Sequence, residues 1–334
     1  MIFVFTNKED SHPTHVIQYL NEWGIPVFRL NTECLLTDYR FSWWANEQEC
    51  DFHIRNIRNG LELFGHQITA IWDRRPEIPK ELPVTNAVEG INKFNLDEAH
   101  SFLSFIRYYL KDVYSIGSIV EDRPAASKML QLCVARDLGM TIPDTCFSNE
   151  KEPACTLAKR YKTLSLKQIG NESVFVDGED EYVFYSQKVE SKDLLMQPDE
   201  AFTQTVCFIQ NYVEKDYELR ITVINRDIIS CKIDSQAQDD DKGKIDWRQG
   251  YDYNLKHEIV DIPYRIRQFC LAFLEKMKLH FGCFDFIVTV EGEYVFLECN
   301  PNGQWLWIEL ETGYDISKVM AENLCKHETK RLKQ

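Results

Sequence analysis

The stretch ECNPNGQW at residues 298–305 decides the reading of this chain. Glu298 and Asn300 end an apolar run that begins at Tyr294, and alternation along a strand puts their side chains on one face. Upstream, FDFIVTV (284–290) carries Asp285, and Glu291-Gly292 offers a tight turn between the two runs. A hairpin centred on that turn sets Asp285 opposite Glu298. Like charges facing each other across a sheet are destabilising. A hard divalent cation held by oxygen ligands reverses that penalty. Asp285, Glu298 and Asn300 are therefore expected to form a Mg²⁺ site. The competing reading is an edge hairpin with solvated acids, and the polar, glycine-containing turn at the strand end favours the metal.

The rest of the chain sets bounds around that hairpin. Its 334 residues suit two or three modest domains with ample core. A formal net charge of −15 argues against binding to duplex nucleic acid, although it leaves room for a local basic pocket for phosphates. No apolar run is long enough to span a bilayer. The N-terminal MIFVFTNKED lacks a basic n-region and is not expected to be a secretory signal. Eleven cysteines, odd in number and without a CxxC pair, fit reduced thiols in a cytoplasm. His12 and His15, near a helix start, read as surface residues.

Along the chain, residues 2–6 read as a buried strand. A helix follows from Ser11 and Pro13 to a stop at Gly24, and PVFRLN reads as a second strand. Asn59-Gly60 marks a hairpin between 52–57 and 61–64. ITAIW ends in Asp73-Arg74-Arg75-Pro76, and a helix is expected over 95–111. After a boundary near 112–123, Asp122 and Pro124 open a helix to Gly139, its stripe expected at Met129, Leu132, Cys133 and Arg136. Short strands are expected at 164–168, 173–176, 182–186, 205–213 and 219–225. SQAQDDDKG (235–243) reads as a mobile polar loop, and helices are expected over 263–277 and 315–326. The fold class is thus α/β followed by α+β.

Several basic residues gain meaning in company. Lys128 lies early in the Pro124 helix, where an anion is favoured. Lys167 leaves a strand into a turn and is placed to meet phosphate. The polar connection within 208–224 offers backbone groups to an adenine edge. Arg220 is either a phosphate ligand or a partner for acids near Glu218. Arg248, in Asp246-Trp247-Arg248, carries a planar fork that grips carboxylate or phosphate, the alternative being a surface Trp-Arg stack.

In this order, Lys128, Lys167, a hinge at 210–215, Arg220, Arg248, Asp285 and Glu298-x-Asn300 resemble the ATP-grasp ligases. More narrowly, WDRRP (72–76), SKMLQLCVARDLGMTIPDT (127–145), DWR (246–248) and ECNPNGQWLWIE (298–309) resemble the graspetide ligases, such as the microviridin type. The resemblance implies an N-terminal pre-ATP-grasp domain (1–120), a central lobe (121–211) and a C-terminal lobe with the metal site (212–334). It implies ATP held by Lys128, Lys167, Gln210, Tyr212 and Val213, and Mg²⁺ on Asp285, Glu298 and Asn300. Arg220 and Arg248 would face the γ-phosphate and the carboxylate being activated. Arg74, Arg75, Asn302 and Gln304 would meet substrate, although the Arg74-Arg75 pair equally fits a role in holding the N-terminal domain in place. The implied substrate is a ribosomal precursor peptide with a leader and an acidic, Thr/Ser-containing core. Its Asp or Glu side chains would condense with hydroxyls or a Lys amine. Leader docking is expected near 175–235, a lid at 235–245, and a homodimer. The alternatives are an ATP-grasp amino-acid ligase acting on a small molecule or protein tail, and a non-catalytic peptide-binding relative.

Overall fold

The computed structural model describes residues 1–170, 174–177, 180–237, 241–249 and 255–331. The N-terminal part alternates β1 (Ile2–Thr6), α1 (Ser11–Glu22), β2 (Val27–Asn31), α2 (Leu35–Asp38), β3 (Tyr39–Ala45), β4 (Cys50–Asn56), β5 (Glu62–Phe64), β6 (Ala70–Asp73), α3 (Glu89–Tyr109) and β7 (Ser115–Ile116). Strands β2-β1-β6-β7 form a parallel sheet. The continuous apolar run of β1 fits a strand buried on both faces. Strands β3-β4-β5 form an antiparallel meander, of which the sequence showed only the second hairpin.

Two helices lead onward, α4 (Asp122–Ala125) and α5 (Lys128–Asp137), where the sequence suggested one. Ser127 separates them, since its side chain accepts from the Leu130 N–H and caps α5. The expected stripe also moves. Gln131, Leu132 and Ala135 are buried, whereas Met129, Leu130 and Cys133 are exposed. Leu132, Ala135 and Ala125 pack into the core of the C-terminal sheet.

The central lobe holds β8 (Thr145–Ser148), α6 (Lys151–Ala158), β9 (Thr163–Lys167), β10 (Val174–Asp177), β11 (Asp180–Val183), β12 (Gln187–Glu190), α7 (Ser191–Leu195), α8 (Glu200–Thr203) and β13 (Cys207–Asn211). Its antiparallel sheet runs β12-β9-β13-β8, with β10-β11 as a separate hairpin. The C-terminal lobe holds β14 (Tyr217–Ile224), β15 (Asp227–Ile233), α9 (Asp241–Ile245), β16 (His257–Ile259), α10 (Tyr264–Met277), β17 (Phe281–Val288), β18 (Tyr294–Asn300), α11 (Leu306–Thr312) and α12 (Ile316–Arg331). Its sheet runs β16-β15-β14-β17-β18. A Phe cluster from α10, β17 and β18 (Phe269, Phe273, Phe284, Phe286, Phe296) forms the heart of the core on one face of this sheet.

The opposite face joins the N-terminal domain. Ile2, Val4 and Trp72 share a core with Ile224, Phe281, Trp305 and Met320, and Trp72 stacks on Trp305 at 5.8 Å. No helix among the described residues is long and apolar enough to cross a membrane. Part of the polar loop is ordered, with a 3₁₀ turn at Ser235–Ala237 followed by α9. Residues 238–240 of the proposed lid and 171–173 of the turn after Lys167 lie outside the described residues.

Candidate functional site

Strand alternation builds a row of charge across three neighbouring strands. Arg220 on β14 is in register with Asp285 on β17, and Asp285 with Glu298 on β18. The second pairing depends on a bulge. Up to Phe286 the hairpin pairs Phe286 with Phe296, and the register shifts at Asp285, leaving Leu297 as the extra residue. Were the register of Phe286 with Phe296 to continue without the bulge, Asp285 would face Leu297. Each acid meets a cation. Arg220 Nη1 lies 2.7 Å from Asp285 Oδ2, and Lys128 Nζ, from the first turn of α5, lies 2.8 Å from Glu298 Oε2. Arg220 therefore pairs with Asp285.

The row lies at a cavity of about 590 Å³ between the central and C-terminal sheets. Burial, with Glu298 nearby, raises Asp285 to about 6 in spite of Arg220. Burial also opposes ionisation of Glu298, but Lys128, with Lys167 and Arg220 nearby, holds that carboxyl below the usual range. Burial pushes Lys167, on the facing wall, down to about 8.

Arg248 reaches the cavity from beyond α9. Asp246, 5 % exposed, grips it in two bonds, Nε to Oδ1 at 2.8 Å and Nη2 to Oδ2 at 2.5 Å. The guanidinium also stands over the Tyr185 ring at 5.8 Å. A buried lysine ties this segment to the connection between the lobes. Lys215 Nζ donates to Glu218 Oε1 at 2.6 Å and to the Ile245 carbonyl at 3.0 Å, and Ser235 donates to the same Glu218 oxygen.

Gln210, Tyr212 and Val213 line the cavity where β13 passes to β14. Gln210 donates from Nε2 to Thr145 Oγ1, while its Oε1 is buried without a partner, an acceptor suited to an exocyclic amine. The Lys188 ammonium lies 3.9 Å from the Tyr212 ring centre.

The four expected substrate residues part company. Arg75 and Asn302 line the cavity. Gln304 is exposed and is not among the lining residues. Arg74 is 1 % exposed and is spent on packing. Its Nη1 donates to the Asn302 and Gly303 carbonyls at 2.6 and 2.9 Å, its Nε to Asp10, and its guanidinium lies over Trp305. Of the two roles open for it, the geometry gives Arg74 the one that holds the N-terminal domain. His12, expected at the surface, is likewise buried. Its Nδ1 donates to Asp10 at 2.8 Å, and its Nε2 accepts from the Trp305 and Leu306 N–H groups at the start of α11. Gly303 completes the turn because a Cβ there would run into Cys283.

Sequence reasoning missed Gln131, Lys215, Asp122 and the Asp10–His12 pair. Gln131 carried a readable signal, since it stands three residues after Lys128 on the same helix face. Asp122 lines the cavity, accepts from Asn302 Nδ2 at 2.7 Å, and is raised to about 7 by burial and by Asp73.

The donor set fits Mg²⁺ only in part. Among the described residues no group of three His, Cys, Asp or Glu side chains could hold a metal ion. Two facing carboxylates and one Asn amide remain. Mg²⁺ is commonly held by one or two carboxylates and completed by water and substrate phosphates. Asp285, Glu298 and Asn300 match that partial set, and a cation relieves the cost of two enclosed acids side by side.

No family model matches the chain, and no curated protein sequence does. Solved structures do. The macrocyclase MdnC from Microcystis aeruginosa, bound with its precursor peptide MdnA, is 26% identical at a TM-score of 0.82, over 97% of this chain and 99% of that one. A RiPP-associated ATP-grasp ligase from Chryseobacterium gregarium, in complex with ADP and a leader and core peptide, is 25% identical at a TM-score of 0.86, over 97% and 96%. The ATP-grasp ligase PsnB, complexed with a phosphomimetic precursor variant, Mg and ADP, shares the fold at 16% identity and a TM-score of 0.72, over 98% of each chain. The chain carries the ATP-grasp fold in the form seen in graspetide-type ligases.

Proposed function

We propose that this chain is an ATP-dependent ligase that condenses Asp or Glu side chains of a ribosomal precursor peptide with Thr/Ser hydroxyls or a Lys amine. The observation that carries this reading is the row Arg220–Asp285–Glu298–Lys128 at the floor of the cleft. Two facing acids held by two cations form a site for a phosphate-bound cation, in a fold whose neighbours hold ADP and precursor peptides.

Asp285, Glu298 and Asn300 would hold Mg²⁺, which when bound supplies charge neutralisation along the phosphates. Lys128 and Lys167 would meet the phosphates, with Gln210, Tyr212 and Val213 around the adenine. Arg248, aligned by Asp246, offers a fixed fork to the γ-phosphate or to the substrate carboxylate. Arg75 and Asn302, which line the cavity, would meet the peptide. Arg220, paired with Asp285, favours that carboxyl's ionised form.

A carboxylate is a poor electrophile because its oxygen leaves badly. Transfer of the γ-phosphoryl group to a carboxylate oxygen gives an acyl phosphate and ADP. A hydroxyl or amine then attacks the carbonyl carbon, the carbon–oxygen bond to phosphate breaks, and inorganic phosphate departs as the nucleophile loses its proton. The residues of this chain align the partners, stabilise developing charge and exclude water. The domain division at 1–120, 121–211 and 212–334, with α5 of the middle segment packed on the C-terminal sheet, a cytoplasmic setting and a homodimer belong to the same reading. Light scattering on the purified chain tests the dimer.

The test is intact-mass analysis of a peptide encoded beside this chain and carrying Thr/Ser and Asp/Glu repeats. After incubation with the protein, ATP and Mg²⁺, loss of one water per bond is expected, and none without ATP. Mild alkaline hydrolysis then separates esters from amides. An unchanged mass with a peptide shown to bind would contradict the reading, and a mass gain on adding free amino acids would replace it with an intermolecular ligase.

A further inference from the structure

Strand β18 is the edge of the five-stranded sheet, so its outward backbone groups lack a neighbouring strand. Unpaired buried N–H and C=O groups are costly, and native chains cover them. Two pieces of the α5 region do so here. The Thr141 carbonyl accepts from the Phe296 N–H at 2.9 Å. Further along, a side chain takes over. Gln131 Oε1 accepts from the Cys299 N–H at 2.9 Å, and its Nε2 donates to the Cys299 carbonyl at 2.6 Å. These are the two bonds that a residue of a neighbouring strand would make to Cys299.

Cys299 is the residue between Glu298 and Asn300. Gln131 is 2 % exposed, and its Nε2 also donates to the Ala125 carbonyl at the end of α4, at 2.7 Å. Gln131 borders the cavity, but its amide hydrogen bonds go to two backbone segments, Ala125 and Cys299. One helical turn earlier, Lys128 holds the Glu298 carboxylate. The same helix face thereby fixes Glu298 at its head and the peptide beside it at its backbone. The pair of donors that would meet a cation is held on both sides of one pinned residue.

We propose that Gln131 is a positioning residue for the metal site, setting the relative placement of Glu298 and Asn300 through the Cys299 peptide. Its amide is engaged by Ala125 and Cys299, so it would act on the site through the Cys299 backbone. Partners behind the ligands of a metal typically cost tenfold to a hundredfold in metal affinity when removed. This inference rests on the Mg²⁺ site proposed above.

The experiment titrates Mg²⁺ against full-length protein with ADP and reads ADP binding by calorimetry. Gln131→Met keeps the shape and removes both bonds to Cys299, and Gln131→Asn keeps the amide on a stem too short to make both. The expected result is a rise of about tenfold or more in the Mg²⁺ concentration at half-effect for the Met variant, and a smaller rise for Asn. ADP binding without Mg²⁺ should stay within about twofold of the parent, a split that general loosening of the fold would not give. If Gln131→Met fails to fold, Gln131→Asn decides. An unchanged Mg²⁺ requirement in a folded variant, or an equal loss of ADP binding with and without Mg²⁺, overturns the proposal. A parent protein whose ADP binding ignores Mg²⁺ removes the metal-site reading itself, and this inference with it.

Discussion

Asp285 lies directly opposite Glu298 across the β17–β18 pair, and each carboxylate is met by a cation from another element, Arg220 from β14 and Lys128 from α5. Two enclosed acids at adjacent strand positions raise each other's cost of ionisation. The two cations leave the row near neutral, so a single substitution unbalances it.

Glu298→Ala removes one oxygen donor and leaves Lys128 without its partner. ATP turnover is expected to fall to background, while precursor binding survives. Phosphate release and peptide binding by calorimetry check the two halves separately. Loss of peptide binding together with turnover would point to collapse of the cleft.

Arg248→Lys keeps the charge but loses the two-bond grip of Asp246. A fall in kcat of about a hundredfold is expected, the scale seen when one preorganised donor to a transition state is removed. KM for ATP should change little. Asp246→Asn, which leaves Arg248 in place but unaligned, should show the same direction with a smaller effect.

Lys167 gives a pH dependence with a defined sign. Burial lowers its pKa to about 8, so its charge is present below that pH and lost above it. If it meets phosphate, kcat/KM for ATP should decline as pH rises through about 8. Lys167→Arg stays charged and should flatten that limb. An identical alkaline limb in the variant would move the titration to another group.

His12 ties stability to acid. Burial holds its folded pKa below the ordinary histidine value of about 6.5, so the unfolded chain takes up the proton first. Its contribution is complete above about 6.5 and is lost as pH falls toward the folded pKa. Asp10, lowered to about 2 although burial opposes it, because His12 and Arg74 favour its charge, adds a second loss between about 4 and 2. Asp122, raised to about 7, acts with the opposite sign, gaining stability as pH falls. The comparison with a variant is therefore the informative one. His12→Leu should cost about 2 kcal/mol at pH 7 by urea denaturation, since it orphans the Trp305 and Leu306 N–H groups. Its stability should then fall less steeply than the parent's between pH 7 and 5.

The hairpin at the metal site was legible because its pattern is local: alternation, a turn glycine and two acids. Even there, the facing of Asp285 and Glu298 depends on the Leu297 bulge, which no periodicity announces. The ordered lysines and arginines of the cleft were readable through resemblance, and Lys128, Lys167, Arg220 and Arg248 all line one cavity. Contacts distant in sequence were not readable. Arg74 and His12 meet the 302–306 turn across more than two hundred residues, and nothing near them in the chain marks them as buried. The α5 stripe failed for a related reason. Gln131 occupies a core position because an edge strand needs its amide, so a polar residue sits where an apolar one was expected.

The central claim is that this cleft activates a peptide carboxylate by phosphorylation. The most direct test labels the Asp and Glu carboxylates of the precursor with ¹⁸O and follows the label during ring closure with ATP and Mg²⁺. The account predicts ADP as product and one ¹⁸O carried into inorganic phosphate for each bond formed. Bond formation with the label retained in the peptide, or with AMP and pyrophosphate released, would contradict it.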